Sequence, residues 1–588
     1  MAELAGFTIE RRDDGTTMLS ATGDLPPYPR RVTDRLVHWA AATPDETFLA
    51  EKSGEGWRRL TYAAALQQVR AIGQALLDRG LSAERPVLIL SGNGIEHALL
   101  AMACQHVGVL YAPISAAYSG ANSDLVKLRQ IVALTTPGLI FALGAGFRRA
   151  LDAVVPEGCE AIDSLAGLLA TAPTEAVDAA YAAIGGDTVA KLLFTSGSTG
   201  TRPKAVITTH RMLCANQSMM KLGFGYLLGE EKPIMVDWLP WSHTFGGSHN
   251  FNMVLFEGGT MFLDAGRPLP GQFGPTLDAI REVAPTLYLA VPKAWEELAR
   301  AMRADPTLNR RFHERLRVRF YAAAALSQPL WDELDALAAE ATDHELPMIT
   351  GLGSTETAPM GTCTDGSRAG RAGDIGMPVP GITLKMVPTD GKLELRVSGP
   401  CITPGYWRDP EKTAAAYDAE GFYCMGDAVA WIDPLDPARG LRFDGRLAED
   451  FKLMSGTWVS VGPLRARLIA AMAPWVRDVV IAGHDRDEVT ALALPFNLQD
   501  ASDPVVLSAL TTVLGELAAT AAGSSARVVR MAFLAGPLSL NAGEVTDKGS
   551  VNQAAVLRCR PDEVAALYAD PAPPHVLCAV QQKQRISA

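Results

Sequence analysis

The sequence has no excess of positive charge, no paired-cysteine signature and no uninterrupted apolar run of membrane-spanning length. Its 53 Lys and Arg stand against 65 Asp and Glu, a net charge of −12 over 588 residues. A general affinity for nucleic acid or an anionic membrane needs a basic face, so neither partner is expected. The eight cysteines, Cys104, Cys159, Cys214, Cys363, Cys401, Cys424, Cys559 and Cys578, form no Cys-x-x-Cys pair and no His/Cys cluster at zinc-ligand spacing, and read as buried or incidental thiols. The most apolar long stretch, Val87 to Ile114, is broken by Asn93, Glu96, His97 and His106, which speaks against a membrane span. The segment Met1 to Gly15 is polar and lacks the apolar centre of a secretory signal. Low-complexity tracts and internal repeats are also missing, and a reducing cytoplasm is the expected compartment.

What is present is the balance of a soluble globular protein, with 48% hydrophobic and 20% charged residues. A chain of this length exceeds one hydrophobic core and predicts roughly three or four folding units. Thr61 can cap a helix whose Leu66, Val69, Ile72 and Leu76 recur at helical spacing, with Gly80 at its stop. Val87 to Leu90 reads as a strand, Ile95 to Val107 as a helix and Val109 to Ile114 as a strand, a βαβ unit of a parallel sheet. Thr188 to Phe194 is a further buried strand. After about residue 445 the elements shorten: Val479 to Ile481 and Thr490 to Leu494 flank the charged turn Asp485 to Glu488 as a hairpin, and Val505 to Ala521 follows as a helix.

The strand at 188–194 runs into Thr195-Ser196-Gly197-Ser198-Thr199-Gly200-Thr201-Arg202-Pro203-Lys204, which supplies five hydroxyls, two glycines and a lysine within ten residues. Glycine lets backbone N–H groups converge on an anion, hydroxyls add donors, and Lys204 adds positive charge: this is phosphate chemistry. The Walker pattern is absent, because no Gly-Lys-Ser/Thr closes the loop.

This loop resembles the signature of the adenylate-forming superfamily of acyl-CoA synthetases, nonribosomal adenylation domains and luciferases. It departs in an extra residue before Pro203 and in Ala205, where glycine is usual. Further blocks follow in the superfamily's order over roughly residues 30 to 560, and the resemblance assigns their roles. Leu239-Pro240-Trp241-Ser242-His243-Thr244-Phe245-Gly246-Gly247 would place His243 against the acid's carboxylate. Gly351-Leu352-Gly353-Ser354-Thr355-Glu356-Thr357 would place Thr355 on the α-phosphate and Glu356 on Mg²⁺. Leu352 stands where a tyrosine often stacks on adenine, so apolar packing and the alanine-rich strand end Ala322 to Ala325, with Ala323 and Ala324, would hold the base. Gly421-Phe422-Tyr423-Cys424-Met425-Gly426-Asp427 and Gly445-Arg446 would bind the ribose. A carboxylate suits a diol because it offers two acceptors and no competing donor. Ala448 stands at the pivot of the mobile C-terminal domain, and Lys452 and Gly456 would border the pantetheine tunnel of coenzyme A. Lys548, in Glu544 to Ser550, would be the catalytic lysine bridging the acid and the α-phosphate side of ATP.

The resemblance thus implies an α/β fold with a large N-terminal domain of layered βαβ subdomains, 1–445, and a small mobile α+β C-terminal domain, 446–588. ATP, Mg²⁺ and coenzyme A are the implied cofactors, and a small carboxylic acid the partner; a homodimer is left open. The wording of several blocks is most similar to bacterial feruloyl-CoA synthetases, and Trp241, Phe245, Asn250 and Phe251 are the expected acyl-pocket residues between the His243 segment and the Ala322 strand, suiting ferulate, p-coumarate or caffeate. Other aryl or medium-chain fatty acids, or an adenylating enzyme that loads a carrier protein, are the alternatives.

Overall fold

The computed structural model describes residues 6–195, 203–269, 271–366, 370–539, 542–545 and 551–579. The chain divides into two compact units: residues 1–388, 395–425 and 431–442 form the larger, and residues 389–394, 426–430 and 443–588 the smaller. The fold is mixed α/β, with the smaller α+β unit built mainly from the C-terminal part of the chain. Among the described residues no helix is long and apolar enough to cross a membrane.

The first sheet of the larger unit grows from the expected βαβ segment. Its strands, in spatial order, are Lys204–Thr209, Val189–Thr195, Tyr111–Pro113, Val87–Ile89, Leu139–Phe141 and Glu160–Ile162. All neighbours run parallel except Lys204–Thr209, which returns antiparallel to Val189–Thr195. The sheet therefore ends on an antiparallel pair whose strands flank the Ser/Gly-rich segment in sequence. Helix Tyr62–Asp78 starts where Thr61 accepts a hydrogen bond from the Ala64 amide, and Ile95–Val107 occupies the predicted span. One face of the sheet is filled by Leu88, Leu90, Ala112, Ile140, Leu192 and Phe194.

A second sheet sets Ile234–Asp237, Thr260–Leu263 and Thr47–Ser53 parallel, with Gly56–Thr61 antiparallel at its edge. A third holds the parallel strands Leu287–Ala290, Val318–Tyr321 and Met348–Ile349. Phe7–Arg11, Thr17–Ala21 and Thr383–Thr389 pair antiparallel in another sheet. The strands Lys392–Ser398, Tyr423–Trp431 and Leu441–Arg446 each contain residues of both units.

In the smaller unit the hairpin expected around Asp485 to Glu488 is Val476–Ala482 antiparallel to Val489–Pro495, extended by Val528–Phe533 and Leu577–Cys578. Strand alternation splits its apolar residues. Val479, Ile481, Ala491 and Ala493 meet Leu510 and Leu514 of helix Pro504–Ala519, while Val480, Leu492 and Leu494 meet Val556 and Leu567 of the helices Gln553–Cys559 and Pro561–Tyr568. Both faces are thereby buried, as a near-continuous apolar strand requires.

Candidate active site

Thr195 ends one strand of this antiparallel pair and Lys204 begins the next, directly paired with it. Ser196, Gly197, Ser198, Thr199 and Gly200 lie outside the described residues. Lys204 holds its Nζ 5.2 Å from the centroid of the Tyr406 ring, and the Tyr406 hydroxyl donates to Glu356 Oε1 at 3.1 Å. One tyrosine therefore links the lysine that closes the Ser/Gly-rich segment to the carboxylate of the Thr355-Glu356 block.

Glu356 lies in a single 3-10 turn, Thr355–Thr357, buried together with Thr355. The Ser354 amide donates to Thr357 Oγ1 at 2.8 Å and the Thr403 amide donates to the Glu356 carbonyl at 2.8 Å, so the turn is fixed from both sides. Gly353 is bridged to Met360, and a Cβ at this position would run into the Pro359 carbonyl; glycine is required by close backbone approach. Leu352 is half-buried, its amide bound to Thr362 Oγ1 at 2.9 Å.

Two more tyrosines surround Glu356. Tyr417 lies with its ring 5.9 Å from that of Tyr423, and burial, with the Glu356 charge second, pushes its phenol up to about 12. Burial and the same carboxylate also raise Tyr406 and Tyr423. All three phenols therefore stay protonated at neutral pH; Tyr406 donates to the carboxylate, whereas Tyr417 donates to the Thr403 carbonyl. Tyr406 and Tyr417 were missed in the sequence, where Gly405-Tyr406-Trp407 carries no catalytic pattern; Tyr423 stood inside a recognised block without a role.

The His243 segment is clamped from the first sheet. Asn93, in the loop after strand Val87–Ile89, donates Nδ2 to the Leu239 carbonyl at 2.8 Å and accepts the Trp241 amide at 2.9 Å. His243 is half-buried, and the chain then enters a π-helix, Phe245–Asn250. Cβ atoms on Gly246 and Gly247 would strike the carbonyls of Leu239 and Trp241, which explains the Gly-Gly pair. Two buried donors reach the carbonyls of this turn: Lys191 Nζ to Gly247 at 2.9 Å and Gln217 Nε2 to Ser248 at 2.8 Å. π-turns are strained and concentrate at functional sites, and such external donors hold the irregular register.

Among the expected pocket residues, Phe245 makes edge contacts with His249 at 5.3 Å and Phe320 at 5.9 Å. Trp241 and Phe251 contact each other at 4.8 Å, and Phe251 also meets Phe48. The Asn250 amide is committed to Asp237, Leu289 and His249. Burial pushes Asp237 up to about 8. The strand expected to reach Ala325 ends at Tyr321; Ala323 and Ala324 are exposed beyond it, and Ala323 takes a left-handed φ of 72°.

In the smaller unit, Asp427 is buried and lies 3.4 Å from Nε of the exposed Arg446, so these two predicted residues are neighbours. Lys452 is exposed on the short strand Phe451–Lys452, opposite Trp458, with Nζ 5.2 Å from that ring. Gly456 takes a φ of 80° in the intervening turn. Lys548 lies outside the described residues, but its flanks are fixed: Val545 bridges Val551, and buried Glu544 is paired by Arg560 through bonds of 2.6 and 3.0 Å. The Arg560 guanidinium holds the Glu544 carboxyl below the usual range.

The sequence matches the family described as AMP-binding enzyme over residues 36–407 and the AMP-binding enzyme C-terminal domain over residues 451–572. The chain belongs to the AMP-binding enzyme family. It is 26% identical over 522 residues to a carboxylic acid reductase of Mycobacterium marinum, covering 79% of this chain and 41% of that longer protein. It is 28% identical over 392 residues to a feruloyl-CoA synthase of Amycolatopsis, covering 64% of this chain and 72% of that protein. Its fold is similar to the A domain of carboxylic acid reductase from Segniliparus rugosus, solved with AMP and a co-purified carboxylic acid, with a TM-score of 0.71 and 20% identity over 92% of this chain and 95% of that one.

Proposed function

We propose that this protein is an ATP-dependent acid:CoA ligase, and that its acid is a hydroxycinnamate such as ferulate, p-coumarate or caffeate. The observation that carries the reading is the joining of Lys204, Tyr406 and Glu356 at the end of the Ser/Gly-rich segment, in a chain of the AMP-binding enzyme family. Carboxylate and triphosphate repel each other, so their union needs cationic groups fixed in advance. Lys204 supplies one from the loop, and Lys548 supplies the other. The acid's oxygen then attacks the α-phosphorus and pyrophosphate departs, leaving an acyl-adenylate. In the second half-reaction the thiol of coenzyme A attacks the acyl carbon and AMP leaves.

Glu356 is a hard oxygen donor oriented by a phenol, which fits Mg²⁺: that ion takes few protein carboxylates and keeps water and phosphate oxygens in its shell. Bound there, Mg²⁺ would neutralise phosphate charge. Thr355, beside Glu356, serves the α-phosphate; Asp427 and Arg446 serve the ribose, with Leu352, Gly353, Ser354, Ala323 and Ala324 around the base. Rotation of the C-terminal domain, 446–588, about Ala448 exchanges Lys548 for Lys452 and Gly456 between the half-reactions. Benzoates and medium-chain fatty acids are the alternative substrates.

Purified protein given ATP, Mg²⁺, CoA and a panel of organic acids is expected to release AMP and pyrophosphate and to form an acyl-CoA thioester, fastest with a hydroxycinnamate. Failure to form any acyl-AMP across the panel overturns the ligase; a faster benzoate or fatty acid overturns only the substrate.

A further inference from the structure

Around Ala448, the residue about which the C-terminal domain would turn, the segment Asp444 to Asp450 is held from both ends by one buried lysine. Lys392 opens the strand Lys392–Ser398, and its side chain is 5% exposed. Its Nζ donates to the Asp444 carbonyl at 2.6 Å and forms an ion pair at 2.5 Å with Oδ2 of Asp450, whose side chain is wholly buried. Asp444 stands four residues before Ala448 and Asp450 two residues after it. One ammonium therefore joins the two flanks of the pivot.

The same flanks are fastened from other directions. Gly445 takes a φ of 94° and passes so close to Gly462 that a Cβ on Gly462 would lie 2.7 Å from the Gly445 Cα. The other Asp450 oxygen, Oδ1, accepts the Val461 amide at 2.8 Å. Glu449 accepts from Gln553 Nε2 at 3.2 Å, and Gln553 Oε1 accepts the Ile481 amide at 2.8 Å. Between these fixed ends Arg446 and Ala448 are exposed and Leu447 is half-buried, in and beside the single 3-10 turn Leu447–Glu449. All of these residues belong to the smaller unit. A buried ion pair adds little to stability over an apolar pair of the same volume, because desolvation offsets the attraction; what it adds is position, since each charge is tolerated only against its partner. Neither half-reaction described above uses Lys392 or Asp450.

We propose that Lys392 is a positioning residue of the pivot: its ammonium clasps Asp444 and Asp450 and so fixes the backbone of Arg446 to Ala448 in one arrangement. A turn about Ala448 moves one flank against the other, and Lys392 cannot keep both partners through it. The clasp is therefore released in passing between the half-reactions. This consequence rests on the ligase reading; the clasp itself does not.

The test is trypsin cleavage of the full-length protein, with fragments mapped by mass, for the wild type, Lys392→Met/Asp450→Leu and Asp450→Asn. The double substitution exchanges the ion pair for apolar side chains, which buried pairs commonly tolerate, and the single one keeps the shape of Asp450 without its charge. Arg446 is the exposed basic residue between Asp444 and Asp450, and Arg527, exposed just before strand Val528–Phe533 of the same unit, is the reference site. Cleavage reads local opening. In the wild type, cleavage after Arg446 is expected to be no faster than after Arg527. In a folded variant it should rise at least about tenfold, while cleavage after Arg527 stays within about twofold. An unchanged rate after Arg446, or an equal rise at both sites, overturns the inference; so does a wild type cut first after Arg446, even where neither variant folds. In the double variant the ratio of adenylation to thioester formation from preformed acyl-adenylate should also differ from the wild type by at least about fivefold. Equal losses in both steps overturn the positioning role. If no acid is adenylated, the ligase reading falls, and the cleavage ratio still decides the clasp.

Discussion

Replacing Lys191 by methionine removes a buried cation while keeping the length of its stem. Lys191 sits on strand Val189–Thr195, 1% exposed, and the bond from its Nζ to the Gly247 carbonyl brings it no negative charge. Desolvation lowers its ammonium from 10.5 to about 7. Between these values the unfolded chain holds a proton that the folded chain has released, so stability rises with pH across this window. The contribution is complete above the unfolded value and is lost as pH falls through the folded one. Integrated from pH 7 to pH 9, it amounts to about 2 kcal/mol, at about 1.36 kcal/mol per pH unit of full linkage. His97, the titratable group that responds to the Lys191 charge, is lowered by burial to about 4 and stays neutral throughout. Methionine removes the side-chain donor to the Gly247 carbonyl, a cost of about 1–3 kcal/mol that does not depend on pH. The two proteins are unfolded in urea at pH 7 and pH 9, following tryptophan fluorescence. Every other titrating group is common to both, so the wild type should gain about 2 kcal/mol more than Lys191→Met between the two pH values. Equal gains in the two proteins would refute the reasoning, because Lys191 would then keep its proton in the folded state.

Lys548→Ala should depress pyrophosphate release by at least about a hundredfold, the scale of losing one preorganised electrostatic contact, and normal adenylation in this variant would remove its assignment. Lys452→Ala should slow thioester formation from preformed acyl-adenylate more than it slows adenylation; equal losses in both half-reactions speak against a role confined to the second. Tyr406→Phe removes the phenol that orients Glu356 and should raise the half-saturating Mg²⁺ concentration about tenfold in a pyrophosphate-release titration, whereas an unchanged Mg²⁺ dependence would separate the tyrosine from any metal.

Local elements were legible because their causes are local. The Thr61 cap and its 3.6-residue period announce helix Tyr62–Asp78, and the two apolar runs around Asp485 to Glu488 announce their hairpin. The alanine-rich segment misled at its end: Ala322 to Ala325 looks like a strand continuing from Phe320, yet the strand stops at Tyr321, where Ala323 turns to a positive φ. The π-turn left only an indirect trace, the Gly246-Gly247 pair, because its irregular register depends on donors from Lys191 and Gln217.

The sequence by itself determined the α/β alternation, the Ser/Gly-rich segment and the order of motifs that marks the family, since periodicity, turn chemistry and short polar signatures are written into neighbouring residues. The tertiary structure alone decided which distant groups meet. Tyr406 reaches Glu356 across 50 positions of chain, and the Asn250 amide is turned toward Leu289 and Asp237. Hydrogen bonds and desolvation depend on separations of a few ångströms in space, and those are set only when strands far apart in sequence are brought side by side.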